Sequence, residues 1–199
     1  VAYIGPIFII LYFYLQVSNP SLVQTVAQGL SIIHYIKRAY ESNFVNIYSG
    51  SVDVAVMFAL SFYYWLVFGV FVSYNLYHVD YINDISDISV IILASCFLIC
   101  VCNNYWCHYI LKELKEKNKG KRGIPQGNMF EYVSTAHYFW EVATWVFFSL
   151  MVRTYSSVFF IFTSFASMYG FALEKHSGYN NYFGDKYPKN RKAMIPFLL

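Results

Sequence analysis

Apolar residues along this chain gather in long unbroken runs. Residues 54–74 and 88–111 contain no formally charged side chain. About 20 apolar residues rising roughly 1.5 Å each cross a hydrocarbon core of about 30 Å, so both runs are predicted to span a membrane. Residues 1–17 are equally uncharged and end at the turn-forming Ser18-Asn19-Pro20-Ser21. With no basic leader and no small-residue cleavage site, that run reads as a span, or the visible part of one, rather than a signal peptide. Residues 22–40 place polar positions at helical spacing, so one face should meet protein or a polar cavity instead of lipid. Two further apolar helices, 138–152 and 155–173, are parted by little more than Arg153 and Thr154. The expected fold is all-α: a polytopic membrane helix bundle of about six transmembrane helices. No repeat or low-complexity linker divides it, so residues 1–199 are expected to form one membrane-embedded domain. The first residue is Val1, and residues upstream of it are expected to be missing.

Composition strengthens this picture. Of 199 residues, 58% are hydrophobic and only 13% charged, against about a quarter charged in soluble domains. Disorder, fibres and a disulfide-stapled secreted module are excluded, as are most soluble enzymes. The four cysteines, Cys96, Cys100, Cys102 and Cys107, lie in one apolar run without a CxxC pair or acidic neighbours. No metal site is expected from them. The 20 Tyr and 19 Phe exceed the needs of two interfacial belts, so most are expected to pack between helices.

Charge sets an orientation. If the helices alternate, 13 of the 14 Lys and Arg residues fall on one side and only Arg153 on the other, with Asp80, Asp84 and Asp87. The positive-inside rule makes Lys37, the 112–122 segment and the C-terminus cytosolic. A net charge of +3 then needs no nucleic-acid partner. The basic loop KELKEKNKGKR reads as a solvated face, although part of it could meet a polyanionic ligand.

Polar groups near the spans are expensive in lipid and become functional candidates. His34, Lys37, Arg38 and Glu41 share one helical face, where Lys37 or Arg38 can pair with Glu41. A snorkelling pair at the interface explains them equally well. His137, Tyr138 and Glu141 follow a segment containing Gly123, Pro125 and Gly127, and Glu141 needs a partner inside its apolar helix. The third group, Glu174-Lys175-His176, Tyr179 and Tyr187-Pro188-Lys189-Asn190-Arg191-Lys192, is either a basic membrane-proximal tail or a phosphate-binding surface.

The stretch IPQGNMFEYVSTAHYFWE, with KHSGYNNYFGDKYPKNRKAMIPFLL at the end, closely resembles the C-terminal half of the steroid 5-alpha-reductase superfamily. HYIKRAYE and the closing IPFLL are most similar to its very-long-chain trans-2-enoyl-CoA reductase branch, and the resemblance extends over residues 3–199. It implies an endoplasmic-reticulum enzyme that uses NADPH to reduce a carbon-carbon double bond conjugated to a carbonyl. The substrate would be a long-chain trans-2-enoyl-CoA, reduced to acyl-CoA as the last step of fatty-acid elongation, with other elongation enzymes as possible partners. By the same resemblance Tyr138 is the proton donor, and Lys37, Arg38 and Glu41 complete the catalytic group. Tyr35 matches a tyrosine that in the steroid-reducing branch lies near the substrate carbonyl. Gly127, His137, Glu141, His176, Tyr179 and Arg191 surround the cofactor, with His137 standing where the family usually has Asn. Rival readings are a steroid or polyprenol reductase of the same superfamily, an S-adenosylmethionine-dependent membrane methyltransferase, and a non-enzymatic channel or scaffold. HYFWE lacks the Pro and Gly that the methyltransferase motif carries. No G-x-G-x-x-G follows a strand pattern, so a dinucleotide would have to be held by helices and the basic tail.

Overall fold

The computed structural model describes residues 3–45 and 54–198. The start of the first expected span at Val1 and the last residue of IPFLL, Leu199, lie outside them. Every regular element among the described residues is helical: α1 (Gly5–Leu15), α2 (Leu22–Tyr40), α3 (Val54–Tyr63), α4 (Ser73–Leu76), α5 (Asp87–Lys117), α6 (Ala136–Val152) and α7 (Tyr155–Phe183). Two π-helical stretches extend them, Glu41–Val45 after α2 and Tyr64–Val72 between α3 and α4. The expected span at 54–74 is therefore one helical run whose middle has a wider winding.

Local sequence sets the boundaries. Pro6 sits in the first turn of α1, where its missing N–H is no loss. Ser21 and Gln24 form a reciprocal capping box that starts α2. Ser86 and Thr154 cap α5 and α7. Arg153, left-handed at φ 52°, closes α6. Two helices run further than their apolar stretches. Without a proline in the way, α5 continues to Lys117 and α7 to Phe183, so Glu174, Lys175, His176 and Tyr179 lie on a helix rather than in a tail.

The buried face of α2 follows Val23, Gln24, Ala27, Leu30, Ser31, His34 and Tyr35, the periodic face its polar residues mark. It meets a core of aromatics packed tilted and edge to face: the Trp145 ring lies 4.8 Å from Phe68 and 5.0 Å from Phe160, with Phe97 and Phe148 completing the cluster. Close packing of α1 on the 54–76 run depends on Gly5 and Gly69. A Cβ on Gly5 would stand 2.2 Å from the Trp65 ring, and one on Gly69 3.1 Å from Ile9.

Two helices, α5 and α7, are long and apolar enough to cross a membrane, and only 28% of the most apolar window of each is buried. Outward residues such as Phe8, Ile88, Ile91, Ile92, Ile99, Phe162 and Tyr155 are exposed. A soluble core helix would bury such surface, whereas a bilayer covers it. α1 is apolar but only 11 residues long.

Candidate functional site

The C-terminal end of α2 lies against the C-terminal half of α5 and the start of α6, and the polar residues of all three converge there. Glu41, wholly buried, receives two cations from its own helix. Arg38 Nη1 lies 2.7 Å from Oε2 and Lys37 Nζ 3.3 Å from Oε1. Arg38 also donates from Nη2 to the Tyr3 hydroxyl at 3.2 Å, and its Nη1 lies 3.0 Å from His108 Nε2. Lys37 bonds the Asn104 side-chain oxygen. The Asn104 amide in turn donates to the His137 carbonyl at 2.7 Å. Both cations thus connect α2 to α5, and through Asn104 to α6. An exposed snorkelling pair would make no such inward contacts.

Glu141, the acid inside the apolar α6 helix, finds its partner on α2: His34 Nε2 lies 3.1 Å from Oε1. Trp145 Nε1 donates to the same oxygen at 3.3 Å. Glu141 Oε2, His34 Nδ1, the Tyr35 hydroxyl and His137 Nδ1 are buried without a hydrogen-bond partner among the described residues. Buried polar atoms are rarely left unmatched, and these four, on two helices joined by the His34–Glu141 contact, mark where a polar ligand group would be satisfied. Tyr35 lies among Tyr64, Phe68 and Trp145, at ring separations of 6.3, 5.3 and 6.2 Å. Tyr138 follows His137, whose ring is 4.3 Å from its own and 5.1 Å from that of His108. The Tyr138 ring also packs against Ala172, Ala193 and Met194.

A second group ties the C-terminal tail to the loop before α6. Val133 and Lys192 form an isolated parallel bridge, and Thr135 Oγ1 donates to the Ala193 carbonyl at 2.7 Å. Ser134 Oγ lies 2.6 Å from both His176 Nδ1 and the Tyr187 hydroxyl. The rings of Tyr179 and Tyr187 stack 5.4 Å apart. Arg191 is buried with its guanidinium turned inward. Nη1 donates to the Pro125 carbonyl at 2.9 Å, Nη2 lies 4.0 Å from Glu131, and Nε has no partner among the described residues. Gly127, at φ 85°, donates its N–H to Glu131 Oε1 at 2.6 Å. Only a residue without a Cβ adopts that backbone freely.

The candidate residues therefore form two sets. Lys37, Arg38, Glu41, His137 and Tyr138 make one continuous chain of contacts through His108 and Asn104, flanked by Glu141 and Tyr35. Gly127, His176, Tyr179 and Arg191 make the clasp between tail and loop, and Tyr138 packs against the neighbouring cluster of Ala172, Ala193 and Met194. Sequence reasoning missed Asn104 and His108, and gave Ser134, inside the second cluster, no role of its own. Asn104 and His108 stand four apart in an apolar helix, so attention to uncharged polar groups, not only formal charge, would have found them.

The chain belongs to the 3-oxo-5-alpha-steroid 4-dehydrogenase family, the steroid 5-alpha-reductase family, whose profile matches residues 52–199. It is 37% identical to a very-long-chain enoyl-CoA reductase of Dictyostelium discoideum, an alignment covering 99% of this chain and 68% of that protein. A steroid 5-alpha-reductase of Solanum lycopersicum is 37% identical over 48% of this chain and 37% of its own length. The human 3-oxo-5-alpha-steroid 4-dehydrogenase 2 is 30% identical, with 87% of this chain and 68% of that protein aligned.

Proposed function

We propose that this chain is an NADPH-dependent reductase of long-chain trans-2-enoyl-CoA, yielding acyl-CoA as the last step of fatty-acid elongation. It works as a multi-pass protein of about six spans in the endoplasmic-reticulum membrane, with its C-terminus cytosolic. The observation that carries the reading is the buried charged cluster on α2, α5 and α6, set in a chain that aligns almost end to end with an enoyl-CoA reductase. The steroid-reducing alternative is not favoured, because the steroid-named relatives align less of this chain or at lower identity.

The residues present fit a nicotinamide cofactor. Glu141 Oε2 is a free acceptor, Nδ1 of a neutral His34, whose Nε2–H is spent on Glu141, accepts, and His137 Nδ1 can donate or accept according to its tautomer, as the carboxamide of such a ring requires. Lys37 and Arg38 supply cations for phosphate or for developing negative charge. When bound, a reduced nicotinamide supplies the hydride that the β-carbon accepts. The chain's own task is to manage the charge that follows. Electron density moves to the thioester oxygen, where the Tyr35 hydroxyl, without a partner in the site, can donate a hydrogen bond. The Tyr138 hydroxyl makes no hydrogen bond among the described residues and delivers the proton to the α-carbon. Glu41 keeps Arg38 and Lys37 aimed inward, and the clasp of His176, Tyr179 and Arg191 holds the Gly127 loop and the tail against α6 and α7.

The direct test is NADPH oxidation by purified protein on addition of a trans-2-enoyl-CoA. Stoichiometric oxidation with saturated acyl-CoA as product is expected. A steroid enone reduced in its place would overturn the substrate assignment.

A further inference from the structure

At the far end of the bundle from the charged cluster, a groove of about 670 Å³ opens between α5, α6 and α7. Ile92, Leu93, Leu150, Tyr155 and Val158 line it, and Arg153 stands on its rim. The volume is in the range of a small-molecule site. Arg153 is unusual three times over. The alternation of helices leaves it the lone basic residue at its end of the chain, against 13 at the other. It occupies a left-handed position, φ 52°, that glycine would fill with less strain. Its one side-chain partner among the described residues is Asp84, at 3.1 Å, and that pair is open to solvent, with Asp84 91% exposed. Such a pair contributes little and leaves most of the guanidinium donors available.

Arg153 is the cation in the groove's lining, beside its exposed partner Asp84. Arg153 precedes α7, whose N-terminal cap Thr154 satisfies the Ser157 amide, and the exposed Tyr155 that opens the helix lines the groove beside it. The opposing negative end of α6 is already covered. Tyr81 donates to the Val152 carbonyl at 2.8 Å and Asn83 to the Met151 carbonyl at 2.9 Å. Beside Arg153 and the hydroxyls of Ser89, Ser149 and Thr154 the groove is lined by apolar residues, and it adjoins outward faces bearing the exposed Ile88, Ile92, Val158 and Phe162, apolar surface that a bilayer would cover. We propose that this groove is a structural phospholipid site, with the lipid phosphate on Arg153 and one acyl chain along Ile92, Leu93 and Leu150. The site is separate from the reductase cluster, and the proposal does not rest on the substrate reading.

Native mass spectrometry on detergent-purified, lipid-stripped protein tests it with three probes: dioleoylphosphatidylglycerol, dioleoylglycerol and inorganic phosphate. Phosphatidylglycerol should bind at least fivefold tighter than the glycerol lipid, which lacks the phosphate. Arg153→Gly relieves the backbone strain while removing the charge, and should weaken phosphatidylglycerol roughly tenfold. Leu150→Trp fills the groove and should weaken it too. Asp84→Asn should leave binding equal or tighter, which separates a lipid role from a structural ion pair. If Arg153→Gly fails to fold, Arg153→Gln carries the same expectation. Equal binding of the two lipids, or unchanged binding in the Arg153 variants, would overturn the proposal. Inorganic phosphate binding as tightly as the phospholipid would turn the site into a plain anion site and overturn it equally.

Discussion

At the residue scale, Tyr138 and Glu41 separate catalysis from stability. The Tyr138 hydroxyl makes no hydrogen bond among the described residues, so Tyr138→Phe removes no contact they supply. Its ring remains against His137 and the cluster of Ala172, Ala193 and Met194. NADPH affinity and thermal stability should be unchanged while enoyl-CoA reduction falls roughly 10²- to 10⁴-fold if proton transfer limits turnover. Binding and turnover measured on one purified sample decide the matter, and near-normal turnover would exclude the proton-donor role. Glu41 behaves in the opposite way. It lies at 0% exposure between Lys37 and Arg38, and Glu41→Gln strands two inward-facing cations beside a neutral amide. Breaking a buried pair costs about 3–5 kcal/mol. A large drop in the unfolding midpoint in detergent is expected, with activity lost along with the fold. Arg38→Ala should be milder for stability, because Lys37 still neutralises the carboxylate, and should appear as a raised KM or lost turnover at normal expression.

At the element scale, glycine positions give a paired prediction. Gly5 lets α1 lie on Trp65, and a Cβ there would overlap the indole. Gly5→Ala should destabilise the protein by about 1–3 kcal/mol through overpacking. Gly29, inside α2, has nothing within 4 Å of its Cβ position. Gly29→Ala should raise stability by up to about 1 kcal/mol, since it gains helix propensity at no steric cost. Melting temperatures of the two variants moving in the same direction would contradict this account of how α1 packs. The same elements show what sequence could reveal. The inward face of α2 was legible because polar and apolar residues alternate at helical phase, so Gln24, Ser31, His34 and Lys37 announce a protein-facing stripe. The run at 54–74 offers no such contrast. Uniform hydropathy gives length but no phase, and the π-helical winding of Tyr64–Val72 left no signal. The union of Ser134 with His176 and Tyr187, and of Val133 with Lys192, depends on residues far apart in the chain, and no local pattern encodes it. Within the candidate site, the ionic pairs of Glu41 followed from spacing alone, whereas the His34 to Glu141 contact needed two helices to meet.

At the scale of the whole molecule, α5 fixes the distance between the acidic and basic ends. Its 31 residues, Asp87–Lys117, extend about 45 Å at 1.5 Å per residue, well beyond a hydrocarbon core of about 30 Å. Asp84 lies just before its start, ion-paired with Arg153, and Lys119 just after its end. One helix crossing the membrane therefore forces these two ends onto opposite faces. The proposed topology then puts the basic segment 112–122 and the C-terminal cations on the cytosolic side, with Asp84 and Arg153 on the other. The Arg122 to Gly178 contact, at 3.3 Å, holds the loop after α5 beside the end of α7 and supports a common side for Lys119 and Lys189. Single cysteines at positions 84, 119 and 189, in a background with Cys96, Cys100, Cys102 and Cys107 changed to serine, make this measurable in sealed microsomes. A membrane-impermeant maleimide added from outside should label positions 119 and 189 at once and position 84 only after the membrane is opened. Labelling of 84 but not 119 in intact vesicles would invert the orientation. Equal labelling of all three would remove α5 as a span and the bilayer with it, leaving the exposed apolar faces of α5 and α7 to be covered by protein.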